Sequence, residues 1–352
     1  MTVGTYNSDT VILSPGHFLI ERGYDPSVRV PDQVLKCVAF IGAAVRSPEG
    51  EVFGDLDATG FFVSVRSKHF PELRYPYFVT AKHVANALKD RTPYILVNSK
   101  TGEKPIYLKN WHPYWFFHPS DPTADVAVLQ IAEQPGTDHL AVLTKDFVTA
   151  EDIANRDWVD IGDEAFMTGL FTPAPGEKRN MPIVRHGNVA MIPDHQIQTE
   201  LGYSDVFLIE ARSIGGLSGS PVFVRRTEIV KLQLPDKRIT ELYAPGPFKL
   251  LGVMQGHWDI KESEINKAAI QHVEKHGVNL GIGIVTPATK ILEILLQPGM
   301  EKIRELSDED LGRVRGLVPR SDTARKRDEQ PFTQTQFEAA LTKATRKLSE
   351  QK

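Results

Sequence analysis

Between about Gln33 and Pro287 the chain repeats one texture, a short apolar or alternating run followed by a turn cluster. Six runs fall in the first part: Val38–Val45, Thr59–Val65, Tyr77–Ala81, Tyr94–Val97, Pro105–Leu108 and Asp125–Ile131. After a break near Thr144–Asp160 come Glu164–Phe171, Gly187–Ile192, Asp205–Ala211, Pro221–Val224, Leu250–Gln255 and Leu280–Thr286. Many carry β-branched or aromatic residues, which suit a pleated surface, and the separators are rich in Gly, Pro, Asn and Asp. Asn98-Ser99-Lys100-Thr101-Gly102 reads as a hairpin loop between two of them. Runs this short, punctuated this regularly, predict an all-β sandwich or barrel rather than βαβ units. Their grouping fits two packed six-stranded antiparallel β-barrels.

Helical periodicity is confined to a few places. Ser263–His276 sets Ile265, Ala268, Ala269 and Val273 on one face, with Gly277 as a C-terminal cap. Thr286-Pro287 then reads as the N-cap and first turn of a second helix that runs through Ile291, Ile294 and Leu295 to Pro298. Beyond it lies a densely charged stretch. A capping-box pair, Thr333 and Gln336, opens a C-terminal helix whose apolar face is Phe337, Ala340, Leu341, Ala344 and Leu348. The expected organisation is an N-terminal arm at 1–33, a first barrel at 34–150, a second barrel at 151–297 with a helical insert at 259–277, and a charged tail at 298–352. The tail helix either packs back on the body or takes a regulatory partner.

Composition narrows this picture. The chain has 352 residues, 41% apolar and 24% charged, which is ordinary for a soluble globular protein with a real core. A net charge of −4 argues against general nucleic-acid binding. The longest apolar run, Val38–Val45, is too short to span a bilayer, and Met1–Ser14 does not read as a signal peptide. Cys37 is the single cysteine, so no intramolecular disulfide forms and packing alone must hold the fold. Together these predict a cytoplasmic protein.

Three segments carry candidate chemistry. An apolar strand ends in Thr80-Ala81-Lys82-His83, an aspartate opens the strand Asp125-Val126-Ala127-Val128-Leu129, and a glycine-flanked serine sits in Gly215-Gly216-Leu217-Ser218-Gly219-Ser220-Pro221. A serine hydroxyl is a weak nucleophile until a base takes its proton, and that base must be held in one tautomer by a buried acid. Glycine beside the nucleophile lets backbone amides converge on a developing oxyanion. Metal chemistry has no comparable pattern. His272 and His276 are four apart, but Glu274 stands between them and H-E-x-x-H is absent, so no metal or cofactor is expected. Trp111, Trp115, Phe116 and Phe117 read as core or loop packing.

In this order the three segments resemble the trypsin-like (chymotrypsin-fold) serine peptidases, closest to the disulfide-poor bacterial branch that includes the HtrA-type proteases. Ala58-Thr59-Gly60-Phe61-Phe62-Val63 resembles the strand before the family's histidine, and Ile161–Gly169 and His186–Val189 resemble strands of its second barrel. The resemblance covers about Cys37 to Leu296. It implies Ser218 as nucleophile, His83 as general base and acid, Asp125 as the orienting carboxylate, and the amides of Gly216 and Ser218 as the oxyanion hole. It implies a peptide or protein substrate and an acyl-enzyme intermediate; the net charge and the short apolar runs give no expectation of a nucleic-acid or membrane partner. It also implies a specificity pocket lined by Arg212, Gln255, Gly256, His257, Gly281 and Gly283. Leu217 stands where trypsin carries the aspartate that pairs with a freed N-terminus, so that activation switch is not expected. The 298–352 tail is too short for the peptide-binding domain of the HtrA-type proteases. Two other readings remain: a catalytically silent or partner-gated binding module, and an esterase. The esterase's G-x-S-x-G turn is broken by Ser220, and its βαβ background is missing.

Overall fold

The computed structural model describes residues 10–12, 30–47, 50–89, 91–102, 105–109, 114–132, 134–156, 158–211, 215–233, 238–260 and 278–314. The predicted helices at 263–276 and 333–348 lie outside them, as do His272, His276 and Trp111. The chain divides into two compact units, Met1–Glu301 and Lys302–Lys352.

In the first unit, β1 (Thr10–Ile12) and α1 (Asp32–Lys36) precede one large sheet. Its strands are β2 (Val38–Ser47), β3 (Gly50–Arg66), β4 (Arg74–Thr80), β5 (Thr92–Val97), β6 (Ile106–Lys109), β7 (Trp115–Phe117), β8 (Ala127–Gln130) and β9 (Val142–Leu143), with the short helix α2 (Lys82–Ala87) after β4. They run in the order β6-β5-β2-β3-β4-β8-β7, with β9 added in parallel to β3. The loop read at Asn98–Gly102 does join an antiparallel pair, and Gly102 supplies the turn's positive φ of 72°. The aromatic run at 115–117 is itself a strand, paired with β8.

The second sheet follows α3 (Ala150–Asn155), whose N-terminus is closed by a reciprocal Thr149–Asp152 capping box. Its strands are β10 (Glu164–Gly169), β11 (Ile183–Met191), β14 (Phe207–Glu210), β15 (Pro221–Gln233), β16 (Ile239–Ile260) and β17 (Val278–Pro287), with a separate hairpin of β12 (Ile197–Thr199) and β13 (Gly202–Ser204). The path β15-β10-β11-β14-β17-β16 returns to β15, closing a six-stranded antiparallel barrel with no free edge inside the ring. Residues Thr227–Gln233 of β15 continue past β10 as a long hairpin with β16, and β1 pairs in parallel with its end at Lys231–Gln233. The fold is therefore all-β, as expected.

Alternation along the strands separates three cores. In β2, Val38 and Phe40 face one cluster while Ala39, Ile41 and Ala43 face another, and in β3 Phe61 and Val63 are opposed to Phe62. In β10 and β15, Phe166 and Phe223 join the first of these clusters, while Ala165, Met167, Val222 and Val224 fill the closed barrel. One core thus lies within the first sheet, one within the barrel, and one between them. Strands buried on both faces explain why the runs read as continuous apolar stretches rather than as alternation.

Helix α4 (Ala288–Leu295) seals the shared core with Ile291, Ile294 and Leu295. Its N-cap is Pro287, not Thr286 as expected: Thr286 is still paired with Val253 in the barrel, so the helix starts one residue later. Pro298 does not end the helical region but opens α5 (Pro298–Val314), which sequence reading missed because its apolar positions are sparse. In the second unit, Arg313 at the end of α5 pairs with Asp310 at 2.8 Å and Glu309 at 3.5 Å.

Candidate active site

His83 does not sit on a strand end. Strand β4 stops at Thr80, and His83 lies in the first turn of α2, where a backbone N–H has no partner within the helix. Asp125, two residues before β8, supplies that partner: its Oδ1 accepts from the His83 main-chain N–H at 2.9 Å. Its other oxygen, Oδ2, meets His83 Nδ1 at 2.7 Å. One carboxylate therefore fixes both the backbone and the ring of the histidine. Asp125 is 1% exposed while the His83 side chain is 47% exposed, so the acid is sealed behind a ring whose far side is open. The hydrogen bond from Asp125 raises the His83 pKa above its ordinary value; burial opposes this, and the carboxylate's charge adds to it.

The loop before Asp125 is anchored by an ion-pair cluster. Lys290 of α4 contacts Asp121 Oδ2 at 2.8 Å and Asp205 Oδ2 at 3.1 Å, tying the first sheet's loop to the approach of β14. Burial pushes the Asp121 carboxyl up, but hydrogen bonds from Lys290 and from both the side chain and main chain of Thr123 outweigh it and hold the group at about 2. Lys82, next to His83, donates to the Pro122 carbonyl at 2.9 Å and bridges to the same loop.

Ser218 sits in a turn held from three sides. Gly219, at φ 81°, donates to Met254 O at 2.8 Å, and Ser220 donates to Leu217 O at 3.0 Å. Ser218 O accepts from the Thr59 N–H at 3.1 Å. Leu217, in place of a buried charge, is fully buried among the barrel's apolar residues and roots the turn there. The Ser218 hydroxyl donates to Gln255 O at 3.4 Å, and among the described residues it makes no hydrogen bond to His83. The amides of Gly216 and Ser218 likewise donate to no protein acceptor among the described residues. Unpaired amides flanking a serine suit an oxyanion site.

The remaining sequence-named residues divide. Gln255, Gly256 and His257 lie on β16, with His257 opposite Gly283 and Gly256 opposite Ile284 on β17, and Gln255 at the register shift between Met254 and Gly256. A Cβ added at Gly256 or Gly281 would meet no heavy atom of the described residues within 4 Å. Gly283 faces inward: a Cβ there would come within 2.9 Å of Met254 and 3.0 Å of Ile209, so close packing requires the glycine. Arg212 lies outside the described residues. Sequence reading assigned no role to Thr59 or to the Gln255 carbonyl, because only the folded chain sets them against the serine turn.

No family model matches the chain, and no curated protein matches it. Among solved structures it is similar to the MamO protease domain from Magnetospirillum magneticum in its apo form, at 16% identity over 60% of this chain and 93% of that one, with a TM-score of 0.38. It is similar to Deg5 at 18% identity, covering 54% of this chain and 75% of that one, TM-score 0.33. It is also similar to the Rv3671c protease in an inactive form, from M. tuberculosis H37Rv, at 18% identity over 76% and 90% of the two chains, TM-score 0.36. These likenesses are remote, and the chemistry below rests on this chain's own contacts.

Proposed function

We propose that the chain is a trypsin-like serine endopeptidase, with Ser218 as nucleophile, His83 as general base and acid, and Asp125 as the orienting carboxylate. The observation that carries this reading is the buried Asp125, which holds the open His83 ring through Nδ1 at 2.7 Å. That bond leaves Nε2 as the proton acceptor. The Ser218 hydroxyl turns from the Gln255 carbonyl towards Nε2, its proton passes to the imidazole, and Oγ bonds to the substrate carbonyl carbon. The displaced π pair becomes an oxyanion that accepts from the Gly216 and Ser218 amides. Collapse breaks the C–N bond, the leaving amine takes the proton from His83, and water repeats the sequence on the acyl-enzyme.

A second reading draws on the same hydroxyl. A serine that rests on the Gln255 carbonyl rather than on the histidine also suits a protease-fold module gated by a partner. Fluorophosphonate labelling of the wild type and of Ser218→Ala separates the two. Labelling at Ser218, with a loss of about 10³-fold or more in peptide turnover on substitution, supports the peptidase. A wild type that never reacts refutes it in favour of the module.

A further inference from the structure

Thr59 is a fully buried residue of β3, yet all of its polar atoms are engaged across elements. Its hydroxyl donates to Gly216 O at 2.7 Å and accepts from Leu170 N, just past β10, at 2.8 Å. Its amide donates to Ser218 O at 3.1 Å. Its carbonyl accepts from the Thr80 hydroxyl at 2.7 Å, three residues before His83. One residue of the first sheet is therefore bonded to the serine turn at two carbonyls, to the barrel wall, and to the strand that delivers the histidine. The two carbonyls it holds belong to Gly216 and Ser218, whose amides donate to no acceptor among the described residues.

We infer that Thr59 is a positioning residue for the proposed acyl transfer, setting the direction of the Gly216 and Ser218 amides by drawing the carbonyls of those residues towards β3. Holding the Gly216 and Ser218 carbonyls fixes the planar peptide units that follow these residues, so their own N–H groups can turn only through the few φ and ψ rotations left between the two anchored planes. Gly216, at φ 91°, has no Cβ to limit those rotations itself, so an external tether is needed. Leu170 N–H fills the acceptor side of the hydroxyl, which leaves its proton directed at Gly216 O. The inference rests on the peptidase reading for its catalytic meaning, but the tether itself is testable without catalysis.

The experiment compares wild type, Thr59→Val, Thr59→Ser and Thr80→Val in peptide turnover and in affinity for a peptide aldehyde, which forms a tetrahedral adduct. Valine keeps the branched shape and deletes the hydroxyl; serine keeps the hydroxyl. Thr59→Val is expected to lower kcat by about 10- to 100-fold, the scale of an ångström-level misplacement, with KM within about twofold. Aldehyde affinity is expected to fall in proportion to kcat/KM, and Thr59→Ser to stay close to wild type. Thr80→Val frees the Thr59 carbonyl while sparing the hydroxyl bridge, and a loss of about threefold in kcat is expected. Should Thr59→Val not fold, this variant carries the test. A folded Thr59→Val with wild-type kcat, a Thr59→Ser as impaired as Thr59→Val, or wild-type kcat in Thr80→Val where Thr59→Val does not fold, overturns the inference. If the wild type neither turns over peptide nor labels, the peptidase reading fails on its own. Amide hydrogen exchange across Leu217–Ser220 then decides the tether: about tenfold faster exchange in Thr59→Val upholds it, and unchanged exchange overturns it.

Discussion

Replacing Asp125 with asparagine tests the site at its most buried member. The wild-type carboxylate accepts twice from His83, at 2.9 Å from the main-chain N–H and at 2.7 Å from Nδ1. Asparagine has the same shape but only one acceptor. Its oxygen takes the main-chain N–H, and its NH₂ group then faces Nδ1, which must become an acceptor. The ring proton moves to Nε2, the nitrogen that has to receive the serine proton. A wrong tautomer of this kind costs about 10⁴-fold in kcat, or about 5.5 kcal/mol of transition-state stabilisation. The same substitution removes the hydrogen bond and charge that raise the His83 pKa. Catalysis needs the neutral ring, so wild-type kcat/KM rises with pH to a plateau whose midpoint lies above about 6.5, and the residual activity of Asp125→Asn has a lower midpoint. The sign for stability is opposite. Protonated His83 stabilises the fold fully below its unfolded pKa, and this contribution is lost as pH rises through the higher folded value. The assay is kcat/KM on a fluorogenic peptide from pH 5 to 9, with thermal melting to show that the variant is folded. A folded Asp125→Asn with wild-type kcat/KM, or a wild-type profile flat from pH 5 to 8, would falsify the assignment of His83 and Asp125.

Two further outcomes follow from the same contacts. Gly219→Ala places a Cβ at φ 81° against Thr59 O and the Thr80 hydroxyl, so both strain and collision act on the serine turn. The backbone conformation alone costs about 1–2 kcal/mol, and a melting temperature lowered by at least about 3 °C with loss of fluorophosphonate labelling is expected; an unchanged melt with full labelling contradicts this geometry. The Asp121–Lys290 pair contributes stability above the unfolded carboxyl pKa of about 3.9, and that contribution is lost as pH falls towards the folded value of about 2. The stability difference between wild type and Lys290→Met, measured by urea unfolding, should therefore shrink between pH 5 and pH 2; a constant difference would show that the pair is not linked to Asp121 titration.

The sequence by itself determined the principal strands and the order of the chemistry, but not the short strands β1, β7, β9, β12 and β13. All twelve apolar runs appear as strands, because side chains that suit a pleated buried surface and glycine or proline turns act locally. The succession of His83, Asp125 and Ser218, each near a strand, was legible for the same reason. Local pattern did not reveal α1, α2, α3 or α5, since five or six residues are too few for a helical period and the α5 sequence has little apolar face. Nor did it show that β2, β3, β4, β10 and β15 are buried on both faces, which depends on a second sheet and α4 packing against them. Tertiary structure alone decided that Gly283 faces the barrel interior, that the Ser218 hydroxyl rests on Gln255, and that Thr59 joins the histidine strand to the serine turn. Thr59 and Gly216 are 157 positions apart. A single buried hydroxyl linking such distant positions leaves no periodic trace in the sequence, and only the packing of the two sheets brings its partners within reach.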